Sequence, residues 1–241
     1  MDWRPWRTHF ELNARRQMPP MDTAEVPEPL RELLAASLAT FALGETGEGR
    51  IVQQVQRLQA PGIDDDYRTA LSLFVAEEGR HAAILGRAVR ALGGRMPRST
   101  WSSGAFTQVR GIAGVHTKLV VLLAAEVVAV TAYAALASRL PDGDLRRALD
   151  TIVADEDAHL QFHAQFFSTV CTGPAERLAF QVAWRSAAAA AGLTVCVDHR
   201  ALWRRLGVPM RELAGELTRL TLHAEQLVLS AAPMPATSPS R

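Results

Sequence analysis

Apolar residues along the chain recur every three or four positions over long stretches, while alternation of period two is nearly absent, a pattern that predicts an all-helical fold. The first predicted helix spans about 29–60 and stops at Pro61-Gly62. The second begins after Ile63-Asp64-Asp65-Asp66, where acids suit a helix N-terminus, and runs to Leu92 before Gly93-Gly94. Residues 93–113, bearing glycine, serine and proline, read as a long crossover. The third helix covers roughly 115–140, and Pro141-Asp142-Gly143-Asp144 turns into a fourth at about 145–170. Two or three more follow, at about 175–191, 198–206 and 209–230. The expected organisation is an N-terminal surface segment (1–28), a four-helix bundle (29–172), a C-terminal helical extension (173–230) and a disordered tail (231–241).

The third helix is apolar on every side and nearly long enough to span a membrane. Glu126 at its centre, and clearly amphipathic neighbours, favour instead the buried central helix of a bundle. With 241 residues, 48% hydrophobic and 21% charged, the chain can bury one substantial core. A net charge of +1, with basic residues scattered along helical faces, gives no nucleic-acid footprint. Cys171 and Cys196 form no Cys-x-x-Cys pair and read as free thiols of a reducing compartment. The N-terminus lacks the continuous apolar run of a secretory signal, so a cytoplasmic location is expected.

Against this background, the polar residues inside the apolar stripes stand out. Glu78 and His81 share a helical face with Leu71, Phe74, Leu85 and Leu92, and Glu156, His159 and His163 share one with Ile152, Phe166 and Val170. Glu126 lies in line with Leu119, Leu122 and Tyr133; Glu45 and Glu48 lie in line with Leu34, Leu38 and Phe41. The same interval, 30 residues, separates Glu48 from Glu78 and Glu126 from Glu156, and each interval ends in Glu-x-x-His. Two helical hairpins related by a pseudo-twofold axis would then present four carboxylates and two imidazoles to one point. Four buried carboxylates need compensation, and two divalent cations supply it. Iron and manganese suit the mixed oxygen and nitrogen donors.

This arrangement resembles the ferritin-like superfamily of dinuclear carboxylate proteins, in which two helices each give one Glu and two others each give Glu-x-x-His. The resemblance rests on "LGETGEGR", "AEEGRH", "LAAEVV" and "ADEDAH" and covers about residues 30–170. It implies a ferritin-like four-helix bundle with two Fe, two Mn or a mixed Mn/Fe pair held by Glu48, Glu78, His81, Glu126, Glu156 and His159. Equal intervals favour Glu48 in the first helix, with Glu45 an alternative ligand or a supporting acid. His163 is open between extra ligand, hydrogen-bond partner and core histidine. Glu77, Asp155 and Asp157 lie off the stripe as exposed or supporting acids, with Asp155 or Arg80 placed to orient an imidazole or pair a carboxylate.

Leu85 stands where the ribonucleotide reductase small subunit carries its radical tyrosine, two cysteines are too few for rubrerythrin, and the residues after Gly173 do not suit a storage cage. The resemblance thus implies an oxidase or oxygenase that activates dioxygen or peroxide toward a small or apolar substrate, with reducing equivalents from an electron-donor protein. A homodimer is an expected assembly. The alternatives are iron storage or ferroxidase activity, and a metal-free helical scaffold.

Overall fold

The computed structural model describes residues 1–46, 63–98 and 115–230. Among these, eight helices and no strands occur: α1 (Arg4–Asn13), α2 (Glu28–Gly44), α3 (Asp65–Ala91), α4 (Val115–Ala137), α5 (Asp144–Val170), α6 (Pro174–Asp198), α7 (Arg200–Arg205) and α8 (Met210–Ser230). The class is all-α, as the periodicity expects. The second half of the expected first helix, most of the crossover and the tail lie outside the described residues.

Local chemistry sets the helix ends. Asp64 caps α3 by accepting the backbone N–H of Tyr67 at 2.8 Å, and Asp65 and Asp66 place negative charge at the positive end of the helix dipole. Gly93 closes α3 with φ +82°, a left-handed conformation that an L side chain rarely adopts. A Cβ on the next residue, Gly94, would meet the Ala35 side chain at 2.7 Å, so this turn also sets how closely α2 packs.

Two pairings dominate the packing, α2 along α3 and α4 along α5. The hydrophobic interior separates into two clusters. One joins Tyr67, Leu71 and Phe74 of α3 to Leu119–Val130 of α4 and Leu160–Phe167 of α5. The other joins Leu30–Ala42 of α2, Ile84–Leu92 of α3, Ala129–Ala137 of α4 and Leu145–Ile152 of α5. α3 and α4 therefore run parallel, from the first cluster to the second, while α5 runs back against them. Between the clusters lies a polar layer of Glu77, Glu78 and His81 from α3, Glu126 from α4, and Asp155, Glu156 and His159 from α5, all buried.

α4 is covered by α5, α6 and α8, which accounts for its being apolar all round. Two helices, α4 and α6, have the length and composition to cross a membrane, but most of α4 is buried inside the protein. α6 also runs unbroken past the point near 191 where the sequence suggests a stop. Gly192 faces α8 there, and a Cβ would meet Leu217 Cδ1 at 3.0 Å, so this glycine serves close helix packing.

The N-terminal segment departs from expectation. Its residues 4–13 form α1, started by Pro5 and spaced so that Trp3, Trp6, Phe10 and Asn13 share one face. All four are buried, against α3 and α5, and the Trp6 indole N–H donates to Gln165 Oε1 at 2.7 Å. Trp3 packs edge-on to Tyr67, with ring centroids 4.8 Å apart. Removing such an anchor costs ~3–5 kcal/mol. Trp3→Ala should accordingly shift the urea midpoint strongly, whereas a surface-wrapped segment would tolerate it within about 0.5 kcal/mol.

Candidate metal centre

The polar layer is built from two copies of one device. α3 carries Glu77-Glu78-x-x-His81 and α5 carries Asp155-Glu156-x-x-His159. In each, the second acid and the histidine stand one helical turn apart and point between the helices. Single donor atoms from Glu78, His81, Glu156 and His159 all lie within 4.8 Å of one another. His81 Nδ1 is 2.9 Å from Glu156 Oε1, and His159 Nδ1 is 2.9 Å from Glu78 Oε1, so each imidazole meets the carboxylate of the opposite helix. Glu126 Oε2 is 3.6 Å from His159 Nδ1.

Despite these short spacings, His81 Nδ1, Glu78 Oε1 and Glu156 Oε1 have no hydrogen-bond partner. These donors crowd into one buried space with His159. Burying unpaired acceptors is costly, so this convergence needs a further positive partner. Adjacent ligands around a first-row divalent metal, at bond lengths of ~2.1 Å and near right angles, stand about 3 Å apart. The residues present therefore fit a metal, and buried Glu, His and Asp groups of this kind can hold a dinuclear site.

The outer edge of each imidazole is held by the acid just before the opposite helix's glutamate. His81 Nε2 is 3.2 Å from Asp155 Oδ2, and His159 Nε2 is 3.2 Å from Glu77 Oε2. That contact fixes the ring and leaves Nδ1 facing inward. Arg80 ties the two acids together, donating to Glu77 Oε1 at 2.7 Å and Asp155 Oδ2 at 3.2 Å. The end of α1 completes the shell: Asn13 Nδ2 donates to Glu77 Oε2 at 3.2 Å, and Arg16 Nη1 to Asp155 Oδ1 at 2.6 Å. Glu77 and Asp155 are thus buried and paired, the supporting role the sequence left open for Asp155 and Arg80, whereas Asp157 is exposed. Asn13 and Arg16 were missed altogether. The available signal was an acid immediately preceding each Glu-x-x-His, together with the apolar stripe of α1.

Glu45 ends α2, is buried, and accepts a short hydrogen bond from the Tyr133 hydroxyl. Burial and the nearby charges of Glu156 and Glu78 push its carboxyl well above the usual range, which places it at the same cluster. Glu48, favoured by the equal intervals, lies outside the described residues. His163 is fully buried beside the site, its Nε2 3.7 Å from Glu126 Oε1, with both ring nitrogens lacking a hydrogen-bond partner. Burial pulls its pKa down to about 3, so it is a neutral donor. His199 is buried and stacks on Phe41, with ring centroids 4.2 Å apart.

The charge distribution shows how the cluster is balanced by protons. Burial lowers the basicity of His81, but Asp155, Glu156 and Glu78 outweigh it and push its pKa up to about 9. His159 is likewise held well above its ordinary value, against the effect of burial, by Glu78 and the other surrounding acids. Burial, with Glu156 close by, pushes Glu126 well above the usual carboxylate range, whereas Glu156 is held well below it by Glu126 and both histidines, against its own burial. Cations entering the cluster would replace these protons.

No known protein family, curated protein or solved structure matches the chain, so the assignment stands on this geometry.

Two outcomes follow. Asp155→Asn or Glu77→Gln should weaken metal binding by about 10–100-fold while leaving the helical circular dichroism unchanged; an unchanged affinity in a metal titration would show that these acids do not position the histidines. The second concerns pH. A group whose pKa is raised on folding stabilises only while protonated, so the metal-free protein should lose stability as pH rises from 6.5 towards about 9 and His81 deprotonates. With Mn(II) bound the imidazoles are already neutral ligands, and the melting temperature should stay level across that window. Parallel pH profiles with and without metal would contradict the assignment.

Proposed function

We propose that the protein is a ferritin-like dinuclear metal oxidoreductase, in which α2, α3, α4 and α5 form the metal-binding bundle and iron, manganese or both are held between α3 and α5. The single observation that carries this reading is the convergence of unpartnered His81, Glu78 and Glu156 atoms with His159 in the buried layer. Glu78, His81, Glu156, His159 and Glu126 would hold the metals, with Glu45 or Glu48 completing the set from the end of the first helix. When bound, such a pair supplies reversible electron transfer and activation of dioxygen or peroxide.

The remaining residues shape where that chemistry occurs. Phe10 and Phe74 pack against the His159 ring, with centroids 5.8 Å and 4.7 Å away, and Phe162 lies against both, so water is excluded from that side. On the Glu45 side the lining changes to Tyr133 and Phe41, whose ring centroids are 5.2 Å apart. The Tyr133 phenol is held protonated by burial and by Glu45, so it keeps a proton at Oη, one hydrogen bond from a carboxylate of the site. That side is the more chemically equipped for a small or apolar substrate. Electrons would come from a donor protein.

Iron storage is the alternative, and both readings use the same ligands. Protein loaded anaerobically with Fe(II) should consume dioxygen or peroxide when mixed with it, and Glu156→Ala should abolish that consumption. Continued uptake of many irons per chain into a large assembly would favour storage. Tight loading without any oxidant consumption would exclude the oxidoreductase reading.

A further inference from the structure

α6 is the least covered of the long helices. Leu178, Val182, Leu193 and Val197 are 63%, 62%, 67% and 48% exposed, although the opposite face of the same helix buries Phe180, Trp184, Ala188 and Val195. At 100° per residue those four side chains fall on one continuous stripe. Between Val182 and Leu193 the stripe is Ser186 and Ala189, both exposed, and Cys196 lies half-buried on it between Leu193 and Val197; it carries no charge. Arg185 stands at its edge and is tied back to Glu225 on α8 at 2.7 Å. A stripe of this length is larger than the scattered apolar residues of an ordinary monomer surface.

Its bulky positions are also symmetric in spacing, each pairing a leucine with a valine. Leu178 and Val182 mark one end, Leu193 and Val197 the other, and both outer and inner pairs are centred between Ala187 and Ala188. Small residues occupy the middle. A helix with bulky ends and a small waist, symmetric about its midpoint, is complementary to a second copy of itself turned end for end. This is the requirement of a twofold interface, in which one patch serves on both partners.

We propose that the protein self-associates through α6, two copies packing antiparallel about a twofold axis at the helix midpoint. Leu178 of each copy meets Val197 of the other, Val182 meets Leu193, and the small Ser186 and Ala189 let the two backbones approach. The apolar surface covered by the pair is on the order of 1,000 Å², the lower bound for a specific interface. A cognate peptide or a lipid surface lacks the matching symmetry, which is why the second copy is the occupant assigned. The inference stands apart from the metal chemistry, since none of these residues belongs to the polar layer.

Light scattering on size-exclusion fractions decides it. A single chain has a mass of 26.2 kDa, and the wild-type protein at tens of micromolar should elute at twice that. Val182→Glu should give monomer with unchanged circular dichroism and metal content. Adding Leu193→Lys to that variant should restore the dimer, because antiparallel pairing sets each new carboxylate opposite the partner's new ammonium. A wild-type monomer, or a dimer untouched by Val182→Glu, would overturn the proposal. Failure of the double variant to reassociate would overturn the antiparallel register. Flotation of the wild type with phosphatidylcholine vesicles in place of dimerisation would assign the face to lipid.

Discussion

The structure depends on neutralising a layer of buried acids. Glu78, Glu126, Glu156 and Glu45, with Glu77 and Asp155 outside them, occupy a section of the bundle where hydrophobic residues would otherwise join two apolar clusters into one core. Ionised carboxylates in that position would carry a prohibitive desolvation cost without positive partners. The chain supplies part of the compensation through two imidazoles and two guanidiniums. The guanidiniums of Arg80 and Arg16 reach only the outer acids, so the inner face is left to protons or to metal. A layer that merely stabilised the fold would be better filled by leucine.

From this constraint the division of labour follows. The two apolar clusters hold the helices at fixed spacing above and below the layer, which fixes where the donors meet. Each histidine is pinned at its outer nitrogen by the acid of the opposite helix, so the two hairpins position one another's ligands. α1 then seals the outside of that contact, burying Glu77 and Asp155, which would otherwise sit at the bundle surface. The N-terminal segment is in this sense part of the site although it offers no ligand.

Much of this was legible in the sequence. The period of 3.6 gave the helices, and Glu-x-x-His inside apolar stripes pointed Glu78, His81, Glu156 and His159 into the core, where the structure brings them together. Glu126 was visible for the same reason. The outer shell was less so: Glu77 and Asp155 lie about 100° from the core stripe and read as surface acids until α1 is placed over them. α1 itself was obscured by Pro5, Arg4 and Arg7 and by the prolines that follow it, which mask the spacing of Trp3, Trp6 and Phe10. For the first helix, equal intervals favour Glu48, while the structure describes Glu45 at the cluster. Local helix geometry could not choose between two acids three residues apart on one face.

The central claim, that the buried layer is a paired-metal site, is tested most directly by elemental analysis of protein reconstituted separately with Fe(II) and Mn(II), beside a Glu78→Ala/Glu156→Ala variant. The account predicts about two metals per chain and their loss in a variant that keeps its helicity. No retained metal in either reconstitution, with the fold intact, would contradict it.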